Sequence, residues 1–207
     1  MIAVLFVLPG AVAWRTGLIA AATGGPDPTR PAQLIAALDA CIQERFKEIN
    51  ERFGMSRVIR IGETPHVFRP EQASELAAVT ALQQANLRVV LYLAGRRVNA
   101  PKPDTSGWRE IDAWRLIKGP VAITASPATP GIMTSSQPPP PPLELWDDSR
   151  RAFQAFATSE SHEFDAGRWR FVAKPVRASD TTCLGCHGPT VRLGDPLGVV
   201  LYGFQPR

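Results

Sequence analysis

The sequence predicts an α+β domain built on a small antiparallel sheet flanked by helices. Three observations carry this reading. Apolar residues recur at three- and four-residue steps over 31–53, the period of a long helix near the N-terminal end. Short runs rich in β-branched and aromatic residues then recur at 87–93, 121–124, 169–176 and 197–204. Nothing between those runs has the regular strand–helix–strand alternation of a parallel sheet. With 207 residues, 44% of them apolar and 20% charged, the chain is long enough for one domain with a real core. Its 20 prolines and 16 glycines argue against a simple helical bundle. A formal charge of +4 without a Lys/Arg run gives no sign of nucleic-acid binding.

Residues 2–14 carry no charge, and Arg15 and Gly17-Leu18-Ile19-Ala20-Ala21-Ala22 follow. A run of that length fits a signal-peptide core better than a membrane span, and Ala20-Ala21-Ala22 offers an A-x-A-like cleavage site. No positive segment precedes the run, so an uncleaved N-terminal anchor or a buried helix is the alternative for 1–22. A flexible break, Gly24-Gly25-Pro26-Asp27-Pro28, separates it from a single domain over 26–207.

Pro31 opens the first helix. Leu34, Ile35, Leu38, Ile42, Phe46, Ile49 and Phe53 form its apolar stripe, and Gly54 closes it. A second helix fits 70–86, rich in Ala, Leu, Glu and Gln. Leu87-Arg88-Val89-Val90-Leu91-Tyr92-Leu93 reads as a strand closed by Gly95, and 121–124 as a short second strand. Residues 127–142 form a Pro-rich insert ending in five prolines, expected as an extended surface spacer. A helix over 147–159 should turn Phe153 and Phe156 inward. A strand over 169–176 should put Trp169 and Phe171 on one face, Arg170 and Val172 on the other. A last strand spans 197–204.

Between those last two strands lies Cys183-Leu184-Gly185-Cys186-His187. C-x-x-C-H is the attachment signature of a c-type haem. Two thiols three positions apart can each form a thioether to one porphyrin edge, and the adjacent imidazole then ligates the iron. Zinc would need further ligands in a tetrahedron, and the remaining candidates are Cys41, His66 and His162. A thioredoxin-like site would open a helix, which Gly188-Pro189 discourages. A small Met/His cytochrome places a ligating Met downstream, and no Met follows His187. Met133, His66 and His162 are weaker candidates for the iron and fit surface positions. Arg168, Arg170, Arg177 and Arg192 lie near the motif, and Arg170 and Arg177 are candidate partners for haem propionates.

The spare cysteine is Cys41. Measured from Leu38 at about 100° per residue, Ile42 lies near +40° and Cys41 near −60°. Cys41 therefore flanks the apolar stripe. That position suits a metal ligand or a half-buried thiol acting as a small hydrophobe.

Trp146-Asp147…Ala152-Phe153, Phe171…Pro175-Val176, Cys183-Leu184-Gly185-Cys186-His187-Gly188 and Gly194-Asp195-Pro196-Leu197-Gly198-Val199-Val200 resemble a family of periplasmic c-haem domains long labelled a domain of unknown function. The resemblance covers roughly 146–204. It is weak over 55–145, where the Pro-rich stretch looks like an insertion. It implies a PAS-like fold and an iron held by the motif His187 and by a Cys of the N-terminal helix, here Cys41. Such a protein would be an exported, periplasmic mono-haem cytochrome carrying low-potential electrons to a separate redox partner. The alternative is a haem-based redox or gas sensor acting on a separate signalling protein. No acid, base and nucleophile set converges beside the motif, so an enzyme is not expected. Membrane contact is expected through an uncleaved N-terminal segment alone.

Overall fold

The computed structural model describes residues 29–48, 54–58, 66–96, 114–123 and 138–206. The expected leader at 1–22, the expected helix end at 49–53, Met133 and the Pro-rich stretch up to 137 lie outside the described residues. Among the described residues the fold is α+β, with four helices and a six-stranded sheet. In chain order the elements are α1 (Thr29–Lys47), β1 (Val67–Phe68), α2 (Ala73–Gln84), β2 (Leu87–Arg96) and β3 (Trp114–Ile123). There follow α3 (Trp146–Ala155), β4 (His162–Ala166), β5 (Trp169–Arg177), α4 (Thr181–His187) and β6 (Pro196–Pro206). Short 3₁₀ turns occupy Gly54–Arg57 and Pro142–Leu145.

The strand order is β1-β3-β2-β6-β5-β4. The sheet is mixed rather than purely antiparallel, because the two-residue β1 pairs parallel with β3. All other pairs are antiparallel. β6, the last strand, lies at the centre between β2 and β5. It pairs with β2 from Leu87↔Pro206 to Gly95↔Gly198, so Gly95 sits inside the ladder and does not close the strand. The reason is local crowding. A Cβ on Gly198 would come within 2.7 Å of the Ala94 carbonyl oxygen, so the two backbones approach closely only with glycine there.

Alternation along the strands sends two apolar sets to opposite faces. Val89, Leu91, Leu93, Val172, Val200, Tyr202 and Phe204 pack beneath α1 and α2, with Ile35, Leu38, Ile42, Val79 and Leu82. Val90, Tyr92, Trp169, Phe171, Ala173, Val199 and Leu201 pack beneath α3, with Leu145, Ala152 and Phe156. The expected split of Trp169 and Phe171 from Val172 is therefore observed. Fully burying a Phe or Leu of this set stabilises by about 1.5–3 kcal/mol.

α1 is described as far as Lys47, and the expected stripe residues Ile49 and Phe53 lie outside the described residues. Glu48 is already non-helical. The Arg57 guanidinium donates to the Phe46 carbonyl, satisfying one of the last orphan acceptors of the helix. A buried ion pair joins α1 to α2. Arg45 donates through Nε and Nη2 to the two Glu75 carboxylate oxygens, and Nη2 also reaches the Arg69 carbonyl at 2.7 Å. The guanidinium carbon lies 4.5 Å from the Phe68 ring centroid. Glu75 in turn accepts from the Glu71 and Gln72 backbone N–H groups at 2.6 and 3.1 Å, capping α2.

The prolines correct a second expectation. Residues 138–141 are extended, but they form no free surface spacer, since Pro139 and Pro140 are buried. The Trp169 indole N–H donates to the Pro138 carbonyl at 3.2 Å, and the Tyr92 hydroxyl to the Pro140 carbonyl at 2.5 Å. A proline lacks an N–H but keeps its carbonyl, so this strap can lie on an apolar face and still satisfy two buried aromatic donors.

Candidate haem site

The C-x-x-C-H motif lies in a loop closed at its neck. β5 ends at Arg177, and Ala178 then pairs back with the residues before β6. Its N–H donates to the Asp195 carbonyl and its carbonyl accepts from the Gly194 N–H, both at 2.9 Å. Within the loop, the Asp180 carboxylate accepts from the Thr182 N–H at 2.6 Å and the Thr182 hydroxyl at 2.5 Å, starting α4. Those bonds, the hydroxyl first, hold the Asp180 carboxyl below its ordinary range. The motif is therefore helical, a correction to the expectation that the following Gly-Pro disfavours a helix. The helix instead runs up to His187 and stops at Gly188, whose φ is 89°. The return leg is held by Asp195, whose carboxylate accepts from the Arg192 N–H at 2.8 Å. Gly194 precedes it with φ 90°, a conformation that favours glycine. The Gly-Asp…Gly pattern thus has a physical content: a turn at Gly194, a loop lock at Asp195 and a close strand approach at Gly198.

Helical geometry groups the motif. Backbone positions 183, 186 and 187 fall within an arc of about 100°. Residues three apart on one helix face have Cβ atoms about 5–6 Å apart. Cys183 is a free, half-buried thiol; the side chain of Cys186 lies outside the described residues. His187 is half-buried, and burial lowers its pKa below the ordinary imidazole value. A neutral imidazole is the form that ligates a metal. A Cβ on Gly185 or on Gly188 would meet nothing within 4 Å, and α4 is sparsely packed against the other elements. Two cysteines and a histidine on one arc of an open helix fit the donor set of a covalent haem c. Among the described residues no three His, Cys, Asp or Glu side chains gather as a metal-binding group.

Cys41 is a free, half-buried thiol on α1, packed against the core on the α1/α2 face of the sheet. The opposite flank of α1 is tied to the sheet. Asp39 accepts from the Tyr202 hydroxyl at 2.7 Å and from Gln43 at 3.0 Å, and Gln43 donates to the Pro175 carbonyl at 3.1 Å. Burial raises the Asp39 pKa, partly offset by the bonds from Tyr202 and Gln43 and by the Lys174 charge. Burial and the Asp39 charge raise the Tyr202 pKa, and Cys41 is close enough to add to that effect. Arg57 bonds the end of α1 through the Phe46 carbonyl.

The two arginines have different surroundings. Arg170 is exposed and pairs with Glu163 on β4 at 2.8 Å. Arg177 closes the neck of the motif loop, bonding the Gly194 carbonyl at 2.9 Å and Glu160 at 2.9 Å. Sequence reading missed this clamp, and the Asp195 lock with it. The turn-forming Gly194-Asp195 pair was the one available signal. His162 begins β4 beside Phe164, and the half-buried His66 has a buried, unpartnered Nδ1. Arg168 and Arg192 are exposed. Among the described residues no helix is long and apolar enough to cross a membrane. No protein-family model, curated protein or solved structure gives a significant match to this chain.

Proposed function

We propose that this chain is an exported mono-haem c-type cytochrome that transfers electrons at low potential. The observation that carries the proposal is the C-x-x-C-H sequence on a helix that ends at His187 inside a neck-closed loop. When bound, the haem supplies a one-electron iron couple. Cys183 and Cys186 would anchor it and His187 would supply a neutral imidazole to the iron, from a loop that carries all three. Cys41 would supply the second protein ligand to the iron. One link supports this role by tying the C-terminal half of α1 to β5, the strand that leads into the motif: Gln43 donates to the Pro175 carbonyl. Neither expected propionate partner is free: Arg170 pairs with Glu163, and the Arg177 fork is bonded to Gly194, Phe156 and Glu160.

Expression with haem-attachment machinery tests this directly. The expected product carries one haem that survives acid–acetone extraction, and C183S or C186S weakens or abolishes it. A haem-free product under those conditions would sink the proposal. A thiolate ligand stabilises ferric iron, so the reduction potential should be negative. C41A should change the Soret band, and an unchanged spectrum would remove Cys41 from the site.

A second reading, a haem-based redox or gas sensor with a separate signalling partner, is favoured by one feature. A central last strand between β2 and β5 in an otherwise antiparallel five-strand arrangement supports the PAS-like expectation. Fold analogy is a weak warrant for function. Carbon monoxide binding to the reduced protein separates the readings: rapid binding supports the sensor, none the carrier.

A further inference from the structure

Arg177 is the last residue of β5, and its guanidinium bonds in two directions. Nη1 donates to the Gly194 carbonyl at 2.9 Å, on the return leg of the motif loop. Nη2 donates to the Phe156 carbonyl at 3.2 Å and, weakly, to the Ser159 carbonyl at 3.5 Å. It also reaches Glu160 at 2.9 Å. Phe156 caps the C-terminal end of α3, where carbonyls lack helical partners and carry partial negative charge. The Glu160 side chain is 81% exposed, so that ion pair adds little, and the weight falls on the backbone carbonyls.

We propose that Arg177 is the positioning residue of the C-x-x-C-H loop, fastening its neck to the C-terminal end of α3. The planar fork matters. It presents N–H groups to acceptors on two separate segments at once, which a lysine ammonium on a flexible stem cannot reproduce. Loop position, and with it the position of His187, then depends on α3. A displacement of the loop would be felt first at Phe156. The proposal deepens the haem reading and rests on it for the spectroscopic arm alone.

The test is hydrogen exchange on full-length R177K, R177M and E160Q, each with haem and in a C183S/C186S background. R177K and R177M should speed exchange over 179–193 by about tenfold in both backgrounds, with β2 and β6 amides unchanged. E160Q should match the parent. In the haem-loaded protein, R177K should also shift the Soret band or the reduction potential. Unchanged loop exchange in both Arg177 variants overturns the proposal. So does protection lost evenly across the sheet, which would make Arg177 a general stability residue. Exchange loosened as expected in a chain that never acquires haem would uphold the clamp and sink the haem reading.

Discussion

Gly185 and Gly198 lie on one short stretch of chain and meet opposite surroundings. At Gly198 an added methyl group would sit 2.7 Å from the Ala94 carbonyl; at Gly185 it would meet nothing within 4 Å. The contrast extends to the regions around them. The sheet and its helices are held by close packing and by buried polar pairs such as Arg45–Glu75. The neck of the motif loop is held by two backbone bonds and Arg177, and its interior by short-range turn bonds and two acidic side chains acting on backbone N–H groups. One region resists change through density, where every added or lost atom is felt. The other is defined by a few polar contacts around a sparsely packed helix with open space at Gly185. Substitutions in the two regions should therefore differ in size and in kind.

The largest effect is expected at the ion pair. Both side chains are almost wholly buried, at 5% and 1% exposure. E75Q leaves the Arg45 charge without its counter-charge and should destabilise by about 3–5 kcal/mol in urea unfolding. Burial pushes the Glu75 pKa up, but bonds from Arg45 and from the Glu71 and Gln72 N–H groups outweigh it and hold the carboxyl below the ordinary value of 4.5. The unfolded chain therefore binds more protons than the folded one in that window. The stabilisation is complete above the ordinary value and falls away as pH drops through the folded value. The parent should lose stability on acidification more steeply than E75Q; equal slopes would show that the pair is not ionised.

G198A comes next. The clash is with backbone of a central strand pair, so relief requires β2 and β6 to separate, at a cost of about 1–3 kcal/mol in thermal or urea unfolding. Y92F removes the hydroxyl that satisfies Pro140 and should cost about 1 kcal/mol. Its sharper readout is local: amides after the strap, over 143–146, should exchange faster while β6 stays protected. A variant as stable as the parent with unchanged exchange would mean that apolar packing alone fixes the strap.

These contrasts bear on what a reading of the residues can reach. Strands with clear alternation, such as β5 and β6, were legible because their apolar residues meet one core or the other. β4 was not, since Glu163 and Asp165 face outward and Phe164 gains its place by stacking on Phe171 at 5.0 Å between ring centroids. The Arg57 bond to the last turn of α1 and the buried strap both rest on backbone carbonyls, which composition does not reveal. The haem motif was legible because its chemistry is fixed by spacing. The clamp at Arg177 was not, because its acceptors are backbone carbonyls of Phe156 and Gly194, on separate segments.

The smallest expected effect is the most exacting test of the comparison. Gly185 lies inside α4 with free space around it, so G185A introduces no clash and removes a residue that weakens helices. Alanine should leave stability within about 0.5 kcal/mol of the parent, or raise it by up to about 1 kcal/mol if α4 frays in the parent. Because the methyl group replaces no ligand and neither thiol, covalent haem yield should be unchanged as well. Thermal unfolding of the haem-free and haem-loaded proteins reads both points. A loss above 1 kcal/mol in the haem-free chain would mean that α4 is packed as tightly as the sheet, and the contrast between the two regions would fail. A loss confined to the haem-loaded chain would instead locate the porphyrin against residue 185 and sharpen the picture of the open face of α4.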